Sequence, residues 1–265
     1  MNTKHRGANG FQLKLLALIT MTMDHIAVYL PGAPDWFHYA GRLAAPSFLY
    51  LCMEGFFYTH SRTRHLARMY ILSSLMKAGS LALCLTLPRG TGLTNDIFST
   101  MFVSCWIVQG MELIRSPEGR RKRQGMLMLA GTAAATAAFL LVYSNFERVP
   151  LNLLRLVNIL LPNPISCEGG FVIVILGVLF YYTRRSRLGI VLSLGALSAV
   201  YLLALPLELP NVIYVLCIFA AVIPILLYNG TPGAHRCKYL FYLYYPAHVY
   251  ILYSAGWLVE NRLFP

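Results

Sequence analysis

Two adjacent ionisable residues, Asp24 and His25, lie inside an apolar stretch that runs from residue 15 to residue 30. An acidic side chain at membrane depth costs about 2.5–3.5 kcal/mol on insertion scales, so such residues usually face a protein interior or a wet cavity. A histidine with a carboxylate nearby is suited to general-base chemistry, because the acid can orient the imidazole and stabilise its cation. Proton relay in a transporter uses the same residue types, so the pair alone does not separate the two functions.

Other polar residues fall within or at the ends of the remaining apolar stretches. Along the predicted helices, much of this ionisable set maps to the outer half of the bilayer, and its convergence would form a polar cavity. Adjacent residues of a helix point about 100° apart, so Asp24 can bond another group while His25 is oriented from elsewhere. The set comprises Asp24, His25, Arg42, Glu54, Lys77, Asn95, Asp96, Glu168 and His248.

Each of these residues also has a purely structural interpretation. Asp24 could pair with Arg42 or Lys77 only to neutralise buried charge. Asn95 and Asp96 could merely cap the helix that follows them, because both residue types are favoured at that position. Glu54 could be a structural ion-pair partner for a basic group. His248 could be a packed histidine that binds a backbone carbonyl.

Several kinds of chemistry are not indicated by the sequence. No GxSxG, HExxH, P-loop or GxGxxG motif occurs, so serine-triad hydrolysis and metalloproteolysis have no support. The 6 cysteines are scattered without CxxC or CxH spacing, so neither a metal site nor a disulfide framework is expected. The net charge of +12 lies mostly in short loops and has no aromatic-basic platform, so nucleic acid is not an expected partner.

The elements that must position these residues are membrane helices. Hydrophobic residues make up 57% of the 265-residue chain and charged residues only 12%, against about 25% charged in soluble domains. We therefore predict an all-α, polytopic helix bundle in the lipid bilayer, formed as a single domain over 1–265. About nine spans are predicted from apolar runs of roughly 18–22 residues. They are 11–30, 41–59, 66–87, 95–114, 125–143, 165–182, 188–205, 211–228 and 238–258.

The stretch 148–161 is a tenth apolar run, and loop charge decides its role. With the N-terminus inside, most of the 22 Lys and Arg lie in cytoplasmic loops only if 148–161 does not cross. Arg148, Asn152, Arg155 and Asn158 are spaced for one helical face, which is typical of a helix in the interface or folded into the bundle. We therefore predict a multi-pass membrane protein with its N-terminus in and its C-terminus out; a location in the bacterial inner membrane follows only from the family resemblance described next.

Several strings of this sequence resemble the TraX family, membrane proteins associated with acetylation of the conjugative pilin subunit. More distantly, they resemble the transmembrane acyltransferases that include the heparan-α-glucosaminide acetyltransferase. Where family members often have an acidic residue and proline, this chain has Lys77-Ala78-Gly79, and a lysine would repel a cationic amine. The strings are LKLLALITMTMDHI, GRLAAPSFLYLCMEGFFYT, SRTRHLARM, NDIFST and YYPAH, and the matching positions are Asp24, His25, Gly41, Arg42, Pro46, Glu54, Gly55, Asn95 and His248.

The resemblance implies an acetyltransferase that uses acetyl-CoA as donor and a peptide, pilin or other amine as acceptor. The catalytic residues would be His25, Asp24 and Glu54. The residues expected to bind substrate or cofactor are Arg42, Lys77, Asn95, Glu168 and His248.

In the expected mechanism, acyl-CoA enters from the cytoplasmic side, where loop Arg and Lys meet its phosphates, and His25 takes a proton from the acceptor. Asp24 or Glu54 orients the histidine or holds the ammonium, while Arg42 or a helix N-terminus stabilises the oxyanion. Three alternatives remain open at this point. They are O-acetylation of an envelope glycan, transport of a small solute coupled to protons, and a scaffold without activity; the lack of a visible inverted repeat weighs mildly against transport.

Overall fold

The described residues of this computed structural model, 7–233 and 238–263, are mostly helical. Within these ranges the only strand-like pairing is an isolated bridge between Ala8 and Tyr228, so the predicted all-α class is confirmed. The helices are α1 (Gly10–Tyr29), α2 (Trp36–Gly41), α3 (Ala44–Phe57), α4 (Arg62–Thr86), α5 (Ile97–Ile114), α6 (Gly119–Ser144), α7 (Leu151–Leu160), α8 (Gly170–Thr183), α9 (Arg187–Ala204), α10 (Leu209–Ala220), α11 (Val222–Leu226) and α12 (Lys238–Leu263).

Every predicted span coincides with one of these helices or with a pair of them. Within the described residues, 6 segments are long and apolar enough to cross a membrane, namely α1, α4, α5, α6, α9 and α10 together with α11. The chain is therefore a multi-pass membrane protein. The other predicted spans correspond to α3 and α8, which have 14 residues each, and to α12, so the count of nine stays a prediction.

Two predicted spans, 41–59 and 211–228, each contain a break in the helix at a proline, and the second still forms a single candidate span. In 41–59, α2 ends at Gly41 and α3 begins at Ala44. Pro46 sits in the first turn of α3, where its missing N–H is harmless, but its ring would clash with the Arg42 carbonyl of a continuous helix. In 211–228, Pro224 acts in the same way and separates α10 from α11.

Two other predicted boundaries also move for local reasons. Helix α7 begins only after Pro150, because a residue that precedes proline is driven out of helical conformation. Arg148 therefore lies outside α7. The prediction that Arg148 shares one face of this helix was wrong. Helix α8 begins at Gly170 rather than near residue 165, since Gly169 and Gly170 have φ of 76° and 66° in the left-handed region.

The described chain forms two compact units. Unit 1 comprises Met1–Cys52, Leu87–Gly92 and Tyr182–Pro265, and unit 2 comprises Met53–Thr86 and Leu93–Tyr181. Since the chain passes repeatedly between them, neither unit is one continuous stretch of sequence. The single domain over 1–265 stays a prediction.

In unit 1, helices α1 and α12 run parallel to one another. Three residues of α1, in chain order Thr22, His25 and Tyr29, contact residues of α12 in the same chain order. Two parallel helices at the ends of a chain, if both cross the bilayer, require an odd number of crossings. The placement of the two termini on opposite sides of the membrane stays a prediction. The residues of α12 that are met are Tyr244, His248 and Tyr253.

The C-terminal ends of α1 and α12 are fastened by Arg89, whose side chain is only 2% exposed. Its guanidinium donates hydrogen bonds to the carbonyls of Tyr29 (2.9 Å) and Tyr253 (3.0 Å), and it binds both carboxylate oxygens of Glu260. A cation is well placed beside the Tyr29 carbonyl, because the last carbonyls of a helix carry partial negative charge. Gly256 permits the approach, since a Cβ there would overlap the Tyr29 carbonyl oxygen and Arg89.

In unit 2, α5 is the most buried of the long helices and packs against both α4 and α6. Glycines bring α5 and α6 close together. A Cβ at Gly125 would lie 2.5 Å from the Gly110 carbonyl oxygen and 2.8 Å from the Ile114 nitrogen. Close backbone contact of this kind is how small residues promote helix association in lipid.

Because of the Arg89–Glu260 pair, we expect the stability of unit 1 to decrease at acid pH. Glu260 lies beyond the predicted span 238–258, and the hydrogen bonds from Arg89 hold its carboxyl pKa below the ordinary value of 4.5. Because the folded pKa is the lower one, the stabilisation is present above the ordinary pKa and is lost as pH falls through the folded pKa. We expect the melting temperature of the detergent-solubilised protein to fall more between about pH 6 and pH 3 than that of Glu260→Gln. Equal losses in both proteins would contradict the assignment.

Candidate active site

The centre of unit 1 holds a pair of buried histidines from the two ends of the chain. His25 of α1 is 2% exposed and His248 of α12 is 7% exposed. The His25 Nδ1 lies 2.7 Å from the His248 Nε2, and the two rings are nearly parallel, with an interplanar angle of 14°. The sequence placed both residues in the site, and the structure brings them into direct contact.

The direction of this hydrogen bond follows from a backbone carbonyl. The His248 Nδ1 lies 2.8 Å from the carbonyl oxygen of Tyr244, and a carbonyl can only accept, so the His248 Nδ1 carries a proton. In a neutral imidazole the other nitrogen is then an acceptor. With both rings neutral, the His248 Nε2 accepts from the His25 Nδ1–H, and the lone pair of His25 resides on its Nε2.

Aromatic residues of α12 enclose the pair. The ring of Tyr244 stacks on His248, with centroids 4.8 Å apart, and the ring of Tyr245 meets both histidines edge-on. Thr22 of α1 uses its only proton on the Leu18 carbonyl, so the Tyr244 hydroxyl donates to the Thr22 oxygen at 2.9 Å. Tyr244 and Tyr245 therefore line the site, and the contact of Tyr244 with Thr22 helps to set the register of α12 on α1.

Asp24, one residue before His25, faces a different helix. One carboxylate oxygen binds the Nδ1 of His38 at 2.9 Å and the other binds a guanidinium nitrogen of Arg42 at 2.5 Å. Arg42 also donates to the His38 carbonyl and to the Tyr214 hydroxyl, and it lies over the Tyr214 ring. Of the two cations predicted as partners for Asp24, Arg42 forms the contact, and Asp24 does not supply the orientation of His25.

A glycine makes this contact between α1 and α2 possible. A Cβ at Gly41 would overlap the Cβ of Asp24 and lie 2.7 Å from its carboxyl carbon. Each of the three specified residues in the GRxxxP string therefore has a structural role. Gly41 allows the close approach, Arg42 binds the carboxylate, and Pro46 starts a new helix behind them.

His38 is the residue that sequence reasoning missed. It lies in a short stretch between two predicted spans, and its role depends on the small helix α2 that folds back onto α1. Its side chain is 41% exposed, in contrast to the buried His25. The only signal in the sequence was a histidine close ahead of the GR string, which is too common to single out.

A second polar cluster lies in unit 2, around Lys77 and Asp96. Asp96 caps α5 by accepting from the backbone N–H of Ser99, and it accepts a 2.6 Å hydrogen bond from the Ser73 hydroxyl. The Lys77 ammonium lies 3.9 Å from this carboxylate, and both side chains are less than 10% exposed. The capping role that was open for Asp96 is therefore confirmed.

Lys77 also fastens helix α7 to α4. Its ammonium donates a 2.9 Å hydrogen bond to the carbonyl of Asn158, while Tyr70 and Ser74 donate to the next carbonyls along α7. Residues 70, 74 and 77 share one face of α4, and each satisfies a carbonyl that the end of α7 leaves without an intrahelical partner. The predicted helix at 148–161 is thus folded onto α4 and α6 of unit 2.

The remaining predicted residues of unit 2 are Asn95, Glu168 and Glu54. The Asn95 amide lies 3.5 Å from a Glu168 carboxylate oxygen, and the Glu168 carbonyl accepts from Thr100. Glu54 lies in the last turn of α3. The structure therefore gathers Asp24, His25, Arg42 and His248 in unit 1, and Lys77, Asn95 and Glu168 in unit 2. Their convergence on one cavity stays a prediction.

Substitution Gly41→Ala tests the close approach of α1 and α2. The added methyl group forces Asp24 and α2 apart, and overpacking of this kind costs about 1–3 kcal/mol. Thermal unfolding in detergent should show the loss. Gly131→Ala in α6 is the matched control, because a Cβ there meets nothing within 4 Å. Equal melting temperatures for the two variants would show that Gly41 is not tightly packed.

Substitution Lys77→Met tests the buried pair in unit 2. It leaves the Asp96 carboxylate without its cation, which typically costs about 3–5 kcal/mol. Adding Asp96→Asn should recover part of the loss, since asparagine still caps the helix and carries no charge. Unfolding of the single and double variants measures this coupling, and strictly additive losses would rule out the ion pair.

Comparisons with known proteins agree with the resemblance read from the sequence. A family model described as TraX protein matches residues 9–255. A probable fimbrial assembly protein of Dichelobacter nodosus, FimC of serogroup H1, is 26% identical over 264 residues, which cover 95% of this chain and 97% of that protein. No solved structure matches the chain. Because the match to the family model extends over nearly all of the sequence, the chain belongs to the TraX family.

Proposed function

We propose that this protein is a membrane acetyltransferase that moves an acetyl group from acetyl-CoA to an amine. The observation that carries the proposal is the hydrogen bond between His25 and His248, whose direction leaves a lone pair on the His25 Nε2. A general base typically contributes about 10²–10⁴-fold to a proton-transfer step. The histidine pair is buried between α1 and α12. Burial there would exclude water that hydrolyses a thioester.

In the proposed reaction the acceptor nitrogen attacks the thioester carbonyl of acetyl-CoA. A carbon–nitrogen bond forms, the carbon–sulfur bond breaks, and the His25 Nε2 takes the proton that the nitrogen loses. His25 then returns this proton to the thiolate of CoA. While His25 is positively charged, its Nδ1–H bond to His248 becomes charge-assisted and therefore stronger.

We propose structural roles for two other residues of the predicted site. Asp24 and Arg42 bind each other and His38, so their proposed role is to hold α2 beside the histidine pair. Neither is proposed as the group that orients His25. Roles in binding substrate or CoA for Lys77, Asn95 and Glu168, and a catalytic role for Glu54, stay predictions.

The acceptor and the location are proposed from the family and from the relative. The family resemblance implies pilin acetylation, and the relative is named as a fimbrial assembly protein. We therefore propose the amino terminus of a pilin or a similar peptide as the acceptor. The protein would lie in the bacterial inner membrane, with its N-terminus inside and its C-terminus outside, as the loop charges predict.

Transfer of labelled acetyl from acetyl-CoA to a hydrophobic peptide with a free α-amino group tests the proposal. In His25→Asn the amide nitrogen can still donate to His248, but the base nitrogen is gone, so the rate should fall by roughly 10²–10⁴-fold. His60→Asn is the control, because His60 is exposed and lies in unit 2. Full activity in His25→Asn would remove His25 from this role, and an inactive wild type would contradict the proposed function itself.

A further inference from the structure

We propose that His38 is a second catalytic base, which removes the first of the two protons that an ammonium acceptor must lose. The inference rests on the proposed acetyl transfer and specifies its substrate class as protonated primary amines. It is drawn from the contact between His38 and Asp24 and from the difference in exposure between His38 and His25.

The orientation of His38 is fixed by a carboxylate. Its Nδ1 lies 2.9 Å from an Asp24 oxygen, and a carboxylate can only accept, so the proton lies on Nδ1 and the lone pair on Nε2. Its backbone carbonyl is held in turn by Arg42 at 3.0 Å. A histidine whose Nδ1–H is bound to a carboxylate is the arrangement that serves as base in many hydrolytic sites.

The two histidine bases differ in what can reach them. The His38 side chain is 41% exposed, whereas His25 is 2% exposed and lies between α1 and α12. An acceptor that arrives from outside the protein can meet His38 directly. His38 lies between the predicted spans 11–30 and 41–59, so a proton that it takes up can be released to water there, whereas a proton on His25 has to be passed on within the site.

Amide formation from an ammonium explains why two bases are needed. The overall reaction of an ammonium with acetyl-CoA yields the amide, CoA thiol and one free proton. The nitrogen loses two protons, of which one ends on sulfur and the other leaves to water. A hydroxyl acceptor loses only one proton, which ends on sulfur. An exposed base in addition to a buried one therefore matches an amine better than a glycan hydroxyl.

The charges around His38 suit this role. Asp24 of α1 supplies the carboxylate, and Arg42 neutralises it at 2.5 Å, so the two together carry no net charge. Tyr214 of α10 contacts Arg42 on its other side, and Asp35 precedes α2 as its N-cap residue. The carboxylate that binds the His38 imidazole is thus itself held in place by Arg42.

His38→Asn separates the two proton transfers. The asparagine amide can replace the Nδ1–H that binds Asp24, but it offers no base at the position of Nε2. A peptide α-amino group has a pKa of about 7.7–8.0, so only about a tenth of it is neutral at pH 7. We expect the variant to be about tenfold slower than wild type at pH 7 with this acceptor, and nearly equal to it at about pH 9.

A matched peptide that bears an aminooxy group in place of the α-amino group gives the decisive comparison. Its nitrogen is already neutral at pH 7, so the deficit of His38→Asn should disappear at that pH. His60→Asn should follow wild type with both peptides. A deficit of the same size with both peptides, or one unchanged between pH 7 and pH 9, would mean that His38 is only structural. Failure of the wild type with both peptides would instead overturn the proposed acetyl transfer.

Discussion

The hydrogen bond between the His25 Nδ1 and the His248 Nε2 is the interaction on which the rest of unit 1 depends. It joins the first helix of the chain to the last, and it lies where burial leaves little water to compete for either ring. The direction of this hydrogen bond follows from a neighbouring backbone carbonyl when both rings are neutral. The carbonyl of Tyr244 accepts from the far nitrogen of His248 and so determines where the protons of both rings lie.

The contacts around this bond keep α1 and α12 in register. The Tyr244 hydroxyl binds Thr22 on one side, and Arg89 fastens the helix ends on the other. Asp24, on the neighbouring face of the same turn of α1, binds α2 through Arg42 and His38. One turn of α1 thus carries a buried base on one face and an ion pair with an exposed base on another. The adjacency of Asp24 and His25 in sequence reflects two separate contacts.

Much of this could be predicted from the sequence, because hydrophobicity over whole helices is a strong signal. The positions of the membrane helices followed from apolar runs, and the helix at 148–161 followed from its spacing of polar residues. That this helix does not cross the bilayer stays a prediction from loop charge. The breaks at Pro46 and Pro224 could have been predicted too, since proline excludes a continuous helix at the residue four before it.

The parts that could not be predicted depend on contacts between distant segments. The choice of Arg42 over Lys77 as partner of Asp24 is set by the fold of α2 onto α1, which no periodicity reveals. The same fold-back recruits His38. Lys77 binds the end of α7 and Asp96 instead, and nothing local to its sequence identifies those partners. Residue type showed that these side chains need partners in a membrane, and only the packing shows which ones they have.

The central claim concerns the position of a single proton, and nitrogen-15 NMR of the protein in lipid bilayers measures it directly. With labelled histidine, and with His25→Asn and His248→Asn for assignment, the two histidines should both appear as neutral rings protonated at Nδ1. The His25 Nε2 should have the chemical shift of an unprotonated nitrogen. A proton found on the His25 Nε2, with the lone pair on Nδ1, would contradict the account.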